Sequence, residues 1–183
     1  MILFSSVNFF SVPGLPYVIA AILLIWIFQP LVTFMHELGH AIPALFLSKG
    51  KIVIRVGMNK NFLWKRTMDF GSRLAVILYF GNFRTGSTEF DSQVKWYVRL
   101  AILLGGPLVS MFLTLLAGRS LFFPTSELFP WMQVLWVSWF CCNFLTFLRS
   151  VIPIRLKPTQ NDPLGAPSDG LQIYQVLIKR GQS

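Results

Sequence analysis

The sequence predicts an all-α membrane protein: a core of three transmembrane helices, a small β element at the membrane surface and a short C-terminal helix. Of its 183 residues, 54% are hydrophobic and the mean hydropathy is +0.61, which is too apolar for a soluble domain of this size. The apolar residues fall in three runs, at about 15–47, 96–117 and 130–148, near or above the roughly 20 residues that cross a bilayer. No long polar block separates them. We therefore expect a single membrane-embedded domain over residues 1–183.

The first run, from Leu15 to Leu47, is longer than one bilayer crossing requires. It contains Pro30, which removes a backbone donor and bends a helix. We therefore expect one long helix that is kinked near Pro30. Its second half carries three ionisable side chains, His36, Glu37 and His40.

The segment from 49 to 94 changes character and forms a basic loop. Two stretches within it, Lys51 to Val56 and Leu74 to Phe83, are rich in Val, Ile, Leu and Phe and are bounded by glycines. This pattern favours short strands at the membrane surface. The second stretch is apolar enough that a buried helical segment is an alternative.

The second predicted membrane helix, Trp96 to Ala117, contains Gly105, Gly106 and Pro107 near its middle. Small residues allow another helix backbone to approach closely, and proline loosens the backbone locally. We expect these three residues to serve helix packing.

The third predicted membrane helix runs from Pro130 to Leu148. The C-terminal segment, 153–183, begins with a stretch rich in proline and polar residues. A short helix from Ser168 to Lys179 is expected to close the chain.

The formal charge of +9 raises the question of nucleic-acid binding. The basic residues lie mostly between apolar runs rather than on a polar face, so the lipid bilayer is the expected partner and nucleic acid is not. Nine of them lie in the loop and four follow the third run: Lys49, Lys51, Arg55, Lys60, Lys65, Arg66, Arg73, Arg84 and Lys95, then Arg155, Lys157, Lys179 and Arg180. The positive-inside rule then predicts a multi-pass protein with its N-terminus outside and its loop and tail cytoplasmic.

The segment His36-Glu37-Leu38-Gly39-His40 matches the HExxH pattern. Residues four apart share a helical face, so two imidazoles can bind one Zn²⁺ while Glu37 accepts a proton from the attacking water. A chance pattern or a buried polar cluster is the alternative. These are the only two histidines of the chain, and Glu37 is the only acid before Asp69. Each ionisable group in a bilayer costs about 2.5–3.5 kcal/mol, and a bound metal would explain the cluster.

A zinc site of this kind needs a third protein ligand, and no histidine remains. The other acids of the chain are Asp69, Glu89, Asp91, Glu127, Asp162 and Asp169. The three loop acids are expected to be solvated, and the orientation argument places Glu127 on the opposite side. Asp169 begins the short C-terminal helix, where it is either a ligand or an ordinary cap beside Ser168.

Three motifs in order resemble the site-2 protease family of intramembrane zinc metallopeptidases: HELGH in a membrane helix, Gly-Pro in the next, and Ser-Asp-Gly after a third. The resemblance extends from about residue 30 to 180 and would make the chain a small single-domain member. It implies a three-helix core with zinc held by His36, His40 and Asp169, and with Glu37 as the general base. It also implies cleavage of peptide bonds in or near the membrane, with substrate added as a strand to the surface sheet.

One departure from the family concerns an Asn that commonly lies three residues before the proline preceding the aspartate. This chain has Ser150 there. Asn143, about two helical turns earlier, could face the same way, so both are candidates for supporting the substrate or the oxyanion. The departure leaves a catalytically weak pseudoprotease or adaptor as the alternative function. A separate enzyme alternative is a membrane zincin of another family with a glutamate as third ligand, and the shortage of acids after the second helix argues against it. Substrate gating is expected from the membrane core or from a partner subunit.

Overall fold

The computed structural model describes residues 14–57, 64–80, 85–91, 93–123, 129–156 and 164–180. Within these ranges the helices are α1 (Leu15–Leu47), α2 (Trp96–Phe122), α3 (Pro130–Val151) and α4 (Asp169–Arg180). The strands are β1 (Ile52–Val56), β2 (Trp64–Phe70), β3 (Leu74–Phe80) and β4 (Gly86–Glu89). Helices α1, α2 and α3 are long and apolar enough to cross a membrane. The predicted combination of three long apolar helices, a small sheet and a short C-terminal helix is confirmed.

The three long helices bury small and polar residues and expose large apolar ones. On the outer face of α1, Trp26 and Phe46 are 70% and 84% exposed. The buried positions of α2 and α3 are instead dominated by small or polar residues, among them Gly106, Ser110, Thr114, Ala117, Gly118, Ser138 and Cys142. This distribution is typical of helices that pack against one another inside lipid, where small side chains let backbones approach.

Helix α1 is continuous through two internal prolines, Pro30 and Pro43. Proline has no backbone N–H, so Pro43 leaves the carbonyl of Gly39 without its intrahelical donor. That carbonyl faces α2, because a β-carbon built on Gly105 would lie 2.0 Å from the oxygen of Gly39. The proline thus releases a carbonyl at the point where the two backbones are closest. A kink near Pro30 stays a prediction.

The four strands form one sheet in the order β2-β3-β1-β4, with β1 parallel to β3 and the other neighbours antiparallel. Strands β1 and β3 lie where the sequence predicted them, so the helical alternative for the second stretch is wrong over Leu74–Phe80. Residues 81–83 lie outside the described residues. Strands β2 and β4 lack a clear apolar alternation, because β2 is largely exposed and β4 is short and polar.

The sheet is fixed to the second half of α1 by a small apolar core. Ile52, Ile54 and Val56 of β1 are almost fully buried, and they cluster with Ala41 and Ala44 of α1. Val76 of β3 and Ile102 of α2 complete the cluster. This packing holds the sheet beside the turns of α1 that carry the histidines.

The helix ends differ modestly from the prediction. Helix α2 continues past Ala117 to Phe122, and α3 continues past Leu148 to Val151. Helix α4 begins at Asp169 because Ser168 is its N-cap: Ser168 Oγ accepts the backbone N–H of Leu171 at 3.2 Å.

Candidate metal centre

His36 and His40 lie one turn apart on α1 and face α2. Both side chains are buried, as is Glu37 between them in sequence. The imidazole rings meet edge to face with their centroids 4.9 Å apart. The helical spacing of the motif therefore places two nitrogen donors at one point inside the helix bundle.

Helix α2 leaves room for the imidazoles because it has glycines opposite them. A β-carbon on Gly106 would lie 2.3 Å from His40 Nε2 and 2.8 Å from His36 Nε2. A β-carbon on Gly105 would collide with the backbone of Gly39. Gly105 therefore sets the distance between the two helices, and Gly106 leaves space for the nitrogen donors. Pro107, also buried, follows directly.

The second ring nitrogen of each histidine has a partner on α2. His40 Nδ1 lies 2.7 Å from the carbonyl oxygen of Ile102. A carbonyl only accepts hydrogen bonds, so this contact requires a proton on Nδ1 and leaves Nε2 as the ring nitrogen that faces Asp169. The N–H of Gly106 lies 3.3 Å from the same Nδ1. A protonated Nδ1 cannot accept this hydrogen bond, so the position of the proton is assigned from the shorter contact with Ile102. His36 Nδ1 lies 2.9 Å from Ser110 Oγ, which can accept its proton in the same way.

Asp169 completes a compact triangle of donor atoms. Its Oδ2 lies 3.1 Å from His36 Nε2 and 3.4 Å from His40 Nε2, and the two nitrogens are 3.3 Å apart. A tetrahedral metal with bonds of about 2.0–2.1 Å separates neighbouring ligand atoms by about 3.3 Å. The three distances match that separation, so these residues could hold a metal ion.

The charge state of Asp169 suits a metal ligand. Burial raises the pKa of this carboxyl, but hydrogen bonds to His36 and His40 outweigh burial and lower the pKa below its ordinary value. Asp169 is therefore ionised at neutral pH. A bound cation would replace the imidazole protons in these contacts, and two nitrogen lone pairs and one carboxylate oxygen would then be directed at it.

The end of α3 and the start of α4 position Asp169. Ser168 Oγ donates to the carbonyl of Ile152 at 2.7 Å while it caps α4. A β-carbon on Gly170 would lie 2.0 Å from the carbonyl oxygen of Val151, so the chain passes there only with a glycine. Of the two roles that the sequence left open for Asp169, the capping role belongs to Ser168, whereas Asp169 faces the two histidines.

Ser150 and Asn143 occupy different places. Ser150 is buried at the end of α3, and its hydroxyl donates to the carbonyl of Phe147 at 2.8 Å. Its own carbonyl oxygen is 3.2 Å from the β-carbon position of Gly170, so it lies next to the segment that carries Asp169. A role in supporting the substrate stays a prediction.

Asn143 is fully buried on α3, about two helical turns before Ser150. Its Nδ2 donates to the carbonyl of Trp139 at 2.9 Å, and its Oδ1 has no hydrogen-bond partner among the described residues. The neighbouring Cys142 contacts the carbonyl of Ile25, which precedes His36 by eleven residues of α1. At 1.5 Å per residue this is about 16 Å along the helix. The described contacts do not join Asn143 to the donor triangle.

The acids of the basic loop have other partners. Asp69 pairs with Lys51 at 3.3 Å on the exposed surface, Glu89 pairs with Arg55, and Asp91 accepts the backbone N–H of Gln93 at 2.9 Å. These surface roles agree with the solvated positions expected for them. Glu127 and Asp162 lie outside the described residues.

Several residues around the centre carried no sequence signal. Ser110 and Ile102 lie in an apolar helix, and Thr88 and Gly86 lie in a short polar strand. Thr88 donates to Glu37, and Gly86 lies against the same carboxylate. A residue pattern cannot show that these positions surround the motif, because only the packing of α2 and β4 on α1 brings them there.

Comparison with known proteins adds no relative. No protein-family model matches the chain, and no curated protein matches it. The functional interpretation therefore depends on the residues of the centre and their geometry.

Proposed function

We propose that this chain is a zinc-dependent endopeptidase that hydrolyses peptide bonds in or near the membrane, similar to the site-2 proteases. The observation that carries the proposal is the donor triangle of His36, His40 and Asp169 with Glu37 beside it. Two imidazole nitrogens and one carboxylate oxygen at this spacing are the protein ligands of a catalytic zinc site with one open position.

Zinc is the metal that we propose for this donor set. Imidazole with a single carboxylate suits Zn²⁺ better than the harder cations Mg²⁺ and Ca²⁺, which take more oxygen ligands. Two further contacts support the assignment, because Ile102 and Ser110 orient the imidazoles as outer-shell partners do in zinc sites. Bound zinc would polarise the scissile carbonyl and make the attacking water more acidic.

Glu37 is the proposed general base. Water loses a proton to the Glu37 carboxylate as its oxygen bonds to the carbonyl carbon. The same proton then moves to the amide nitrogen as the C–N bond breaks, so that a new carboxyl and an amine leave and Glu37 is unchanged. Asp169, His36 and His40 keep their protonation throughout and act as fixed ligands.

An extended substrate would suit the sheet beside the centre. Strand β4 is at one end of the strand order and pairs with β1 alone among the described strands. A strand at the end of a sheet can pair with an added strand, and Thr88 of β4 contacts Glu37. We infer that a membrane-protein or membrane-peptide substrate unwinds and pairs with β4 before cleavage.

The membrane orientation is part of the proposal. By the positive-inside rule, the basic loop and the basic tail favour an orientation with the sheet, α4 and the donor triangle toward the cytoplasm and the N-terminus outside. The buried small residues and exposed large apolar residues of α1, α2 and α3 support a lipid environment.

A catalytically weak pseudoprotease or adaptor is the second candidate. The observation that favours it is the hydroxyl of Ser150, which is occupied by the carbonyl of Phe147 where the resembled family has an amide side chain. The described contacts also leave Asn143 away from the donor triangle. An adaptor would retain zinc for structure and would not require the base.

The test combines zinc content with cleavage in purified, detergent-solubilised protein. Wild type should contain one zinc per chain by plasma mass spectrometry and should cleave a membrane-peptide substrate. Glu37→Gln should keep zinc and lose activity by about 10²-fold or more, because the base is gone and the ligands remain.

Two aspartate variants test, in the same experiment, whether Asp169 is a zinc ligand. Asp169→Asn should lose zinc, whereas the exposed Asp69→Asn should match wild type in zinc and activity. Full zinc content in Asp169→Asn would overturn the ligand assignment. Zinc-loaded wild type that cleaves no membrane peptide would overturn the protease and favour the adaptor.

A further inference from the structure

The side chain of Glu37 is held by the edge strand of the sheet. Thr88 Oγ1 of β4 lies 2.8 Å from Glu37 Oε2 and 3.0 Å from the carbonyl oxygen of Glu37. Glu37 is buried, so its carboxylate has few other sources of hydrogen bonds. A buried carboxylate that lacks a donor loses much of its solvation, and this hydroxyl replaces part of it.

The contact distinguishes the two carboxylate oxygens. Thr88 has one hydroxyl proton, and the shorter of its two contacts is to Oε2. Oε1 lies instead against Gly86, where a β-carbon would be 2.5 Å from it. Gly86 and Thr88 are two apart on β4, so both are on the face of the strand that lies toward Glu37.

Glycine at position 86 is therefore needed for the Glu37 side chain to keep its position. A β-carbon there would also lie 2.7 Å from Glu37 Cγ and 2.8 Å from Thr33 Cγ2. Any larger residue would displace the Glu37 side chain. The strand thus provides one hydrogen bond to Oε2 and, at Gly86, the space that Oε1 occupies.

We propose that Thr88 is a positioning residue for the general base: it fixes Oε2 so that Oε1 is the oxygen that exchanges the proton. Gly86 leaves the space this oxygen needs. The inference rests on the proposed function, since it assigns a role within that reaction. It also connects substrate and base, because the strand that offers its edge to an extended peptide is the strand that orients Glu37.

The test replaces the Thr88 hydroxyl while keeping its shape. Thr88→Val should lower kcat about 10- to 100-fold with KM within about 2-fold and zinc content unchanged, because a misplaced base slows chemistry and leaves binding intact. Thr88→Ser should restore most of kcat, since it returns the hydroxyl. Thr67→Val is the matched control on exposed strand β2 and should behave as wild type.

A second measurement needs no activity. Thr88→Val should lower the thermal unfolding midpoint more when Glu37 is present than in a Glu37→Ala background, because only the first keeps the contact between the two side chains, whereas both keep the backbone carbonyl of residue 37. Additive effects in this double-mutant cycle would overturn the inference. So would an unchanged kcat in Thr88→Val, or a Thr88→Ser variant as slow as Thr88→Val.

The two proposals fail in different ways. A wild type that cleaves nothing while it binds zinc overturns the proposed function. An active wild type that loses activity in Glu37→Gln and keeps it in Thr88→Val overturns only the role of Thr88.

Discussion

At the scale of single residues, the partners of the two Nδ1 atoms decide which ring nitrogen of each histidine faces Asp169. The carbonyl of Ile102 and the hydroxyl of Ser110 each face an Nδ1 atom. They therefore leave both Nε2 atoms facing Asp169. The carbonyl is part of the backbone and cannot be removed by mutation, but the hydroxyl can.

Ser110→Ala should weaken zinc affinity by about 10- to 100-fold, because His36 loses the partner that fixes its ring and tautomer. Competition with a metal chelator, followed by zinc content, measures this change. The control is Ser120→Ala on the same helix, where the hydroxyl donates to the carbonyl of Leu116 on the exposed surface. Equal zinc retention in the two variants would contradict the role of Ser110.

At the scale of elements, α1 and α2 approach so closely that their backbones touch. Gly39 and Gly105 face one another, and Pro43 frees the carbonyl of Gly39 at that contact. Such a carbonyl can accept a weak Cα–H bond from the opposing glycine. The same approach brings Gly106 against both imidazoles, so helix packing and the geometry of the donor triangle depend on neighbouring glycines.

Gly105→Ala should destabilise the protein by about 1–3 kcal/mol or more, because a methyl group would overlap the backbone of α1. Thermal unfolding in detergent measures this, with zinc content as a second readout that should fall. Gly118→Ala is the control, since the nearest atom to its β-carbon would be Phe140 Cε2 at 3.4 Å, an ordinary contact. An unfolding midpoint for Gly105→Ala equal to that of Gly118→Ala would show that the helices have room to separate.

At the scale of the whole molecule, charge and apolarity lie on different parts of the chain. Large apolar side chains cover the three long helices, whereas Lys51, Lys65 and Arg73 belong to the sheet and its connections. An anionic cytoplasmic leaflet attracts such residues by about 1 kcal/mol each near the surface. The proposed orientation follows from this separation.

Cysteine labelling in intact cells tests the orientation. In a background with Cys141→Ser and Cys142→Ser, Lys65→Cys should react with a membrane-impermeant maleimide only after permeabilisation. Phe129→Cys, which precedes α3, should react without it. The reverse pattern would place the sheet outside and contradict the orientation.

The sequence by itself determined the parts of this protein that depend on local pattern. Apolar runs predicted the three long helices, because the length of an apolar segment can be read directly from the sequence. The HExxH spacing predicted that His36 and His40 share a face, because four residues make about one helical turn. The ends of the helices were less accurate, because Ser120 and Arg149 remain within their helices although polar residues there resemble a terminus.

The tertiary structure alone decided which distant residues meet. Asp169 follows His36 by more than a hundred residues, and only the packing of α4 against the end of α3 brings its carboxylate beside the two imidazoles. Thr88, Gly86 and Ser110 carry no local pattern, since their roles come from the surfaces that β4 and α2 present to α1. Local periodicity is a property of one segment, whereas a donor triangle is a property of three segments in contact, and that contact exists only in the folded chain.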